Sequence, residues 1–364
     1  MIHEAVIVSA ARTGCGVFGG TISNIPAPQL GGIAAKAAVE RAGLTGDQID
    51  EVIIGTHFQA GIKANSARQA SLAAGFPDTV PAWTPNKNCG TALRAIHCAA
   101  ESIMLGNNEI VVSGGCECMS SIPYVLTKAR FGYRMGNDQI FDSMIYDGLV
   151  DPFMSYHMGI TGENVAEKCG ITREMQDELA YRSHANASRA EKEGLTKEAI
   201  VPVEIKTKKG VTIFDKDETI RHDMTPEMLG ALKPFFKKDG TVTVGNASPV
   251  NDQGAAVVVM SKEKAQQLGI KPRAKIVGFT SAALHPSIMG YAPVPACQKL
   301  LKKFDLKVED IDIWELNEAF AAQACACVQD LKIDPAKVNV NGGAIALGHP
   351  VGATGARILM TAMF

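Results

Sequence analysis

Short apolar stretches alternate along the chain with longer, alanine-rich runs of helical periodicity. The apolar stretches have the length of single buried strands and cover residues 5–9, 52–54, 110–113, 255–260, 274–279, 311–314 and 338–340. Strands separated by helices in this way are typical of an α/β fold.

A weak internal repeat relates the two halves of the chain. Residues 44–50 (LTGDQID) match residues 306–312 (LKVEDID) in spacing and character. In the first copy, a strand at 110–113 and, after a long excursion, a closing strand at 255–260 follow the second helix. The second copy reaches residue 364 without either strand. The repeat therefore predicts a layered fold of two similar halves, in which the C-terminal half lacks its last strands.

Residues 119–246 differ in composition from the rest of the chain: they contain more charged, aromatic and methionine residues. A helical pattern covers 173–193. We interpret this segment as a loop domain inserted into the first half. The predicted units are an N-terminal half (1–118 with 247–270), the loop domain (119–246) and an incomplete C-terminal half (271–364). A ligand cleft between the loop domain and the repeated core is expected.

Composition narrows the possible partners. The formal charge of −2 over 364 residues indicates neither a nucleic-acid footprint nor a basic membrane-binding helix. No apolar run approaches the ~18 residues of a membrane span, and the first residues lack the plan of a signal peptide, so we expect a cytoplasmic protein. The nine cysteines include no Cys-x-x-Cys pair, which argues against a disulfide framework and a zinc site. No metal or redox cofactor is implied.

Two segments offer chemistry. Cys89 stands in the sequence NKNCGT (86–91), between a strand and a helix. The amides and dipole at the start of that helix are expected to favour a thiolate. The alternative is a buried cysteine that only fills space. His349 lies among five glycines in residues 341–357 and could accept the thiol proton. The alternative is a structural histidine that caps the next helix.

Asn317 follows an apolar strand and precedes an alanine-rich helix. Its commonest role in such a place is the N-cap of the helix, which is compatible with support of an oxyanion.

Three motifs in these segments resemble the thiolase family: Asn-x-x-Cys-Gly at 86–90, Asn-Glu-Ala-Phe at 317–320 and Gly-Gly-Ala-Ile-Ala-Leu-Gly-His-Pro-x-Gly at 342–352. The resemblance extends over the whole chain. Residues 128–136 and 142–149 are most similar to the loop domain of the acetyl-CoA acetyltransferase branch. The resemblance implies the layered αβαβα fold of that family.

The resemblance also implies a reaction. Cys89 would accept an acetyl group from one acetyl-CoA after activation by His349. A second acetyl-CoA, its thioester oxygen held by His349 and by a water on Asn317, would attack the acyl-enzyme to give acetoacetyl-CoA and CoA. Exchange between thiols and thioesters suits cysteine, because the attacking and leaving groups are thiolates of similar basicity.

Four residues are assigned to coenzyme A by the same resemblance. Ser248 and His157 would contact the pantetheine, Met158 would limit the acyl chain length, and Arg221 would meet the nucleotide end. Without the family, Ser248 is an ordinary turn residue, Arg221 is solvated surface, and His157 and Met158 are packing residues. The family is usually tetrameric, and the loop at 128–139 resembles the segment that pairs its dimers, so a homotetramer is expected.

One family feature is missing from the sequence. Thiolases carry a second cysteine in a Cys-x-Gly-Gly-x-Gly turn near the C-terminus, which exchanges protons with CoA and with the α-carbon. None of the nine cysteines has that setting. For residues 1–364 alone, we expect acylation of Cys89 to survive feebly and condensation to be impaired, since a general acid or base contributes ~10²–10⁴-fold.

Three alternatives to the acetyl-CoA reaction remain. The first is a 3-ketoacyl-CoA thiolase with a broader range of substrates. The second is a non-catalytic CoA-binding or scaffolding subunit, which the missing motif would permit. The third is a decarboxylating or chain-extending condensing enzyme, but this class uses a histidine where the chain has Asn317.

Overall fold

The computed structural model describes residues 2–208 and 210–364, so that Met1 of the predicted N-terminal half lies outside the described residues. The strands are β1 (Ala5–Thr13), β2 (Gly16–Val17), β3 (Glu51–Gly55), β4 (Ala82–Trp83), β5 (Ile110–Cys118), β6 (Tyr124–Val125), β7 (Phe141–Asp142), β8 (Ile200–Val201), β9 (Val203–Thr207), β10 (Gly210–Phe214), β11 (Asn251–Ser261) and β12 (Ala274–Lys275). The α-helices are α1 (Ala27–Arg41), α2 (Ser66–Ala73), α3 (Thr91–Met104), α4 (Met158–Cys169), α5 (Arg173–Lys192), α6 (Pro226–Gly230), α7 (Lys262–Gln267), α8 (Pro293–Phe304), α9 (Ala321–Leu331), α10 (Ala344–Leu347) and α11 (Thr354–Met363).

A mixed sheet forms the centre of the first half, in the order β12-β1-β11-β5-β3-β4, with β8 beside β1 and β2 beside β11. Strand β5 pairs in parallel with β3 and antiparallel with β11, where Asp252 lies opposite Cys118 and Met260 opposite Ile110. All residues of β1, β5 and β11 are buried. Burial on both faces explains why these strands read as continuous apolar runs and lack the alternation of a half-exposed sheet.

Helices cover both faces of this sheet. Helices α1 and α2 belong to the apolar cluster on one face, and α3 and α11 to the cluster on the other. Helix α1 lies close to α2 because Gly32 has no side chain: a Cβ there would lie 2.8 Å from the Cβ of Ala73. Helix α11, from the C-terminal half, thus packs on the sheet of the N-terminal half.

The chain leaves the sheet after β5 and returns at β11. The intervening segment contains α4, α5 and α6, which pack against α9 through clusters that include Val165, Ala180, Phe320 and Ala322. Predicted helices at 91–105 and 173–193 correspond to α3 and α5. The fold class predicted from the sequence is confirmed by the mixed α/β layers and by the structural matches reported below.

The second half departs from the predicted strands. Of 274–279, only β12 forms, paired with β1. Segments 311–314 and 338–340 meet in one parallel bridge, between Trp314 and Val338, and form no ladder among the described residues. A strand needs neighbours to satisfy its amides, and the counterparts of β5 and β11 that would lie beside these segments do not occur in the described part of the chain.

Membrane-spanning helices and metal-binding clusters would each indicate a function. No helix among the described residues is long and apolar enough to cross a membrane. Nor does any group of three or more histidine, cysteine, aspartate or glutamate side chains in those residues have an arrangement that could hold a metal ion.

Candidate active site

Cys89 lies in a short 3-10 helix, Asn88–Gly90, that runs directly into α3. Asn88 has a left-handed backbone with φ of 49°, which asparagine tolerates better than most residues. The Asn86 carboxamide holds this turn: its Oδ1 accepts from the Asn88 amide at 3.1 Å, and its Nδ2 donates to the His57 carbonyl at 3.0 Å. The turn places the partly exposed Cys89 at the N-terminus of α3.

His349 lies in the turn that follows α10. Its backbone amide donates to Asn251 Oδ1 at 2.8 Å. The preceding Gly348 has a φ of 93°, and a Cβ there would lie 2.5 Å from the sulfur of the buried Cys15. Only glycine fits this position. The glycine-rich sequence around His349 thus lets the turn pack closely on β11 and carries the imidazole to Cys89.

Cys89 and His349 are in direct contact, with 3.1 Å between Sγ and Nε2. The other ring nitrogen, Nδ1, lies 2.7 Å from Thr354 Oγ1. The Thr354 hydroxyl also lies 3.0 Å from the Pro350 carbonyl, and we assign its one hydrogen to that carbonyl, so that its oxygen accepts from Nδ1–H. This chain of bonds leaves Nε2 without a proton and able to accept one from the Cys89 thiol.

The pair is neutral in the free protein. Burial raises the pKa of the Cys89 thiol to about 11, because Phe58, Met119 and Val351 pack around it; the carboxylate of Glu117 adds to the rise. Burial also lowers the pKa of His349 to about 3, with Arg357 and His57 contributing in the same direction. The amide of Cys89 lowers this pKa, as expected at the start of a helix, but desolvation outweighs it.

Thr354→Val tests the assigned tautomer of His349. Valine keeps the shape of threonine but cannot accept from Nδ1–H, so the proton is free to occupy either nitrogen. We expect kcat to fall about 10- to 100-fold, as when the partner of a functional histidine is removed elsewhere, with little change in KM. Thr361→Val is the control. The Thr361 hydroxyl donates the equivalent hydrogen bond, to the Arg357 carbonyl at 3.0 Å, about two turns further along α11. Equal activity of the two variants would contradict the assigned tautomer.

The segment before β11 connects His349 with the loop that contains Asn317. Ala247 forms an antiparallel bridge with Phe320, and Val250 forms a parallel bridge with His349. Ser248 lies between these bridges. Both its amide, at 3.0 Å, and its hydroxyl, at 3.1 Å, donate to the carbonyl of residue 319. The structure therefore places Ser248 between two of the predicted catalytic segments.

Asn317 is not the N-cap of the following helix, so that interpretation is wrong. Helix α9 begins four residues later, and Phe320 occupies its N-cap position. The Asn317 Oδ1 is buried and accepts no hydrogen bond from any described residue. Its main-chain carbonyl accepts from Gln323 Nε2 at 2.9 Å, which holds the loop. A buried amide oxygen without a partner is unusual and is consistent with a polar role for Asn317.

His157 and Met158 lie at the start of α4. His157 caps the helix, since its Nδ1 accepts from the Gly159 amide at 3.1 Å, and its ring stacks on Phe236 with 4.7 Å between centroids. Because Nδ1 is an acceptor and burial lowers the pKa of His157, the neutral ring carries its proton on Nε2. Met158 is half-buried and packs against the apolar cluster around Phe320.

Arg221 is exposed and follows Ile220, which packs with Ala346 and Leu347 just before His349. The Arg221 amide donates to Nδ1 of the buried His184 at 3.2 Å. The arginine is thus fixed by its backbone at the surface beside the His349 turn, while Cys89 and His349 lie deeper.

Sequence reasoning missed the residues that orient the pair. Thr354 and Asn251 each contact His349, Asn86 shapes the Cys89 turn, and Glu117 ties several loops together. Thr354 and Asn86 lie within residues 341–357 and 86–91, the two segments already noted, so the sequence could have indicated them as neighbours of the catalytic pair. Nothing in the sequence near Asn251 or Glu117 indicates contact with residues about 98 and 235 positions away.

Two family models match the chain. The family model for the thiolase N-terminal domain matches residues 5–263, and the model for the thiolase C-terminal domain matches residues 270–364. The chain belongs to the thiolase family.

Among similar proteins are enzymes named acetyl-CoA acetyltransferase. The one from Syntrophomonas wolfei is 50% identical over 370 residues, which cover 100% of this chain and 93% of that protein. The one from Cupriavidus necator is 52% identical over 359 residues, covering 98% and 91%. A crystal structure of the Bacillus anthracis acetyl-CoA acetyltransferase superposes with a TM-score of 0.97 at 46% identity and covers 100% of this chain and 92% of that one. The family predicted from the three motifs is confirmed.

Proposed function

We propose that this protein is an acetyl-CoA C-acetyltransferase, which interconverts two acetyl-CoA with acetoacetyl-CoA and CoA through an acetyl group on Cys89. The observation that carries the proposal is the 3.1 Å contact between the Cys89 sulfur and His349 Nε2. The names of the two relatives at 50% and 52% identity support the choice of acetyl-CoA as substrate.

In the first half-reaction, the Cys89 proton moves to His349 Nε2 as Sγ attacks the carbonyl carbon of acetyl-CoA. The tetrahedral intermediate then collapses: the bond between carbon and the CoA sulfur breaks, and the CoA thiolate takes the proton from His349. The neutral resting pair suits this sequence, because the imidazole is free to accept the proton when attack begins. The products are acetyl-Cys89, neutral His349 and free CoA.

In the second half-reaction, the α-carbon of another acetyl-CoA attacks acetyl-Cys89, and the Cys89 thiolate leaves and recovers a proton. We assign His349 and a water held by Asn317 to the thioester oxygen of this substrate, an assignment supported by the unpartnered buried Oδ1 of Asn317. The α-proton must leave before the carbon attacks. Family resemblance gives this proton to a cysteine in a Cys-x-Gly-Gly-x-Gly turn, and the sequence given has no such turn. Acetyl transfer to Cys89 and condensation therefore need separate measurements.

For coenzyme A, we assign Ser248 and His157 to the pantetheine, Met158 to the acyl group and Arg221 to the nucleotide end. The position of Ser248 beside the His349 turn, the Nε2–H donor of His157 and the exposed guanidinium of Arg221 support these roles. No cofactor other than the CoA thioesters is part of the proposal. A cytoplasmic homotetramer, a dimer of dimers, is the proposed form.

The proposal is tested by incubating the purified protein with acetoacetyl-CoA and CoA and separating the products by chromatography. We expect acetyl-CoA to appear at twice the rate at which acetoacetyl-CoA disappears. Longer 3-ketoacyl-CoA substrates cleaved with equal kcat/KM would favour the broader thiolase. Saturable CoA binding without any acyl transfer would favour the non-catalytic subunit.

Met158→Ala tests the assignment of the acyl pocket. Removing the side chain should raise kcat/KM for four- and six-carbon acyl-CoA donors relative to acetyl-CoA, since one methylene in an apolar pocket discriminates by about 1–3 kcal/mol. Met175→Ala is the control, because Met175 is also half-buried and packs on the same apolar cluster from α5. Both variants should lose about 2 kcal/mol of stability. An unchanged chain-length preference in Met158→Ala would remove Met158 from the acyl site.

A further inference from the structure

The side chain of Glu117 joins the two loops that carry Cys89 and His349. Glu117 lies near the end of β5 and is 1% exposed. Its Oε2 accepts from the amides of His57, at 3.0 Å, and Gly352, at 2.8 Å, and its Oε1 accepts from the amide of Phe58 at 3.2 Å. One carboxylate therefore binds the loop after β3 and the turn after His349 at the same time.

Each of these loops is only a few bonds from a reacting atom. On one side, the His57 carbonyl accepts from Asn86, whose carboxamide shapes the turn at Asn88 and Cys89. On the other side, Gly352 belongs to the same turn as His349. Since the amides of His57 and Gly352 both donate to Oε2 of Glu117, that oxygen helps to set the distance between Cys89 Sγ and His349 Nε2.

The packing around this carboxylate leaves no slack. A Cβ on Gly352 would lie 2.7 Å from Glu117 Oε2 and 3.0 Å from the His57 amide, so glycine is needed for the approach. The site is thus built around a glutamate and a glycine that lie far apart in the sequence.

Holding two loops with a buried carboxylate costs desolvation free energy. In the described part of the chain, no basic side chain forms an ion pair with Glu117, and burial raises its pKa to about 8 in spite of the three amide donors. A neutral hydrogen-bonding side chain would hold a purely structural junction with less desolvation. Above pH 8, where Glu117 is ionised, its negative charge adds to the larger effect of desolvation in raising the pKa of the Cys89 thiol.

We propose that Glu117 is a positioning residue for acyl transfer: its side chain holds His349 against Cys89 by joining the two loops that carry them. The inference rests on the proposed function for its catalytic part. A second effect, on the reactivity of the Cys89 thiol, is measured independently of that function, because alkylation of a thiol by iodoacetamide requires no CoA substrate.

Glu117→Gln separates the two effects. The amide NH₂ of glutamine cannot accept, so at least one backbone donor loses its partner, and the charge is removed in a side chain of the same shape. We expect slower turnover together with faster alkylation of Cys89 at a fixed pH well above 8, where Glu117 is ionised in the unmodified protein and its removal makes the thiol more acidic. In Glu117→Ala, which loses all three bonds, kcat should fall about 10²-fold, as expected for a small misplacement of reacting groups, with KM little changed.

The second readout, after turnover, is the pH profile of Cys89 alkylation, followed by peptide mass spectrometry. Around Cys89 and Glu117 the titratable groups are His57 on the loop after β3, Asp252 on β11 and His349. These groups are the same in every variant. The midpoint of the profile should move to lower pH in Glu117→Gln than in the unmodified protein.

Asp50→Asn is the matched control. Asp50 Oδ2 accepts from the amides of Glu109 and Ile110, both at 2.8 Å, at the opposite end of β5. This variant should lower Tm without changing kcat or the alkylation profile. If Glu117→Gln behaves like Asp50→Asn, with a lower Tm, normal turnover and an unshifted profile, the proposal is wrong. Should Glu117→Ala not fold, the isosteric glutamine variant still decides the question.

Discussion

Cys89→Ser should abolish the exchange of labelled CoA into acetyl-CoA, with a loss of at least about 10⁴-fold, as when the nucleophile of other acyl-transfer enzymes is removed. Exchange needs only the first half-reaction, so it reports on acetyl-Cys89 independently of condensation. Serine keeps the size of the side chain and its contact with His349. However, a hydroxyl is a far weaker nucleophile than a thiol, and its ester is a poor donor to CoA.

The control for this variant is Cys169→Ser. Cys169 lies at the end of α4, is partly exposed and packs on a different apolar cluster from Cys89, so its substitution should leave exchange unchanged. Exchange that persists in Cys89→Ser would show that the acetyl group travels by another route and would remove Cys89 as the nucleophile.

His349→Ala should lower the exchange rate about 10²- to 10⁴-fold at neutral pH, because the general base is lost. The loss should shrink as the pH rises. Below its raised pKa of about 11, the Cys89 thiol stays protonated and needs a base. As the pH approaches that value, the thiolate forms without help, so the variant approaches the unmodified protein.

His285→Ala serves as the control, since His285 is exposed and caps a short 3-10 helix through the Ser287 amide. It should show neither a loss of exchange nor a changed pH dependence. A deficit in His349→Ala that is the same at every pH would indicate a role in binding or in oxyanion support without proton transfer.

Much of the fold and of the central pair could be predicted from the sequence because the relevant signals are local. Continuous apolar runs predicted β1, β3, β5 and β11, and the glycines around His349 indicated close packing. Motif spacing and strand ends led to Cys89 and His349, which the structure brings into contact.

The remaining features depend on contacts between distant segments, which no local pattern encodes. The pKa of the Cys89 thiol depends on the side chains that pack around it, so the helix dipole alone does not predict whether that pKa is raised or lowered. Asn317 precedes α9 by several residues, and its role depends on how the loop folds over Ser248. Glu117 reaches Gly352 across 235 positions, and no periodicity in the sequence indicates that bond.

Intact-protein mass spectrometry of the purified chain before and after brief incubation with acetyl-CoA, followed by peptide mapping, is the most direct test of the acyl-transfer site. We expect a single acetyl adduct on Cys89 that disappears when free CoA is added, because CoA takes the acetyl group back. No adduct, or an adduct on another residue that CoA does not remove, would contradict the claim that Cys89 and His349 form an acyl-transfer site.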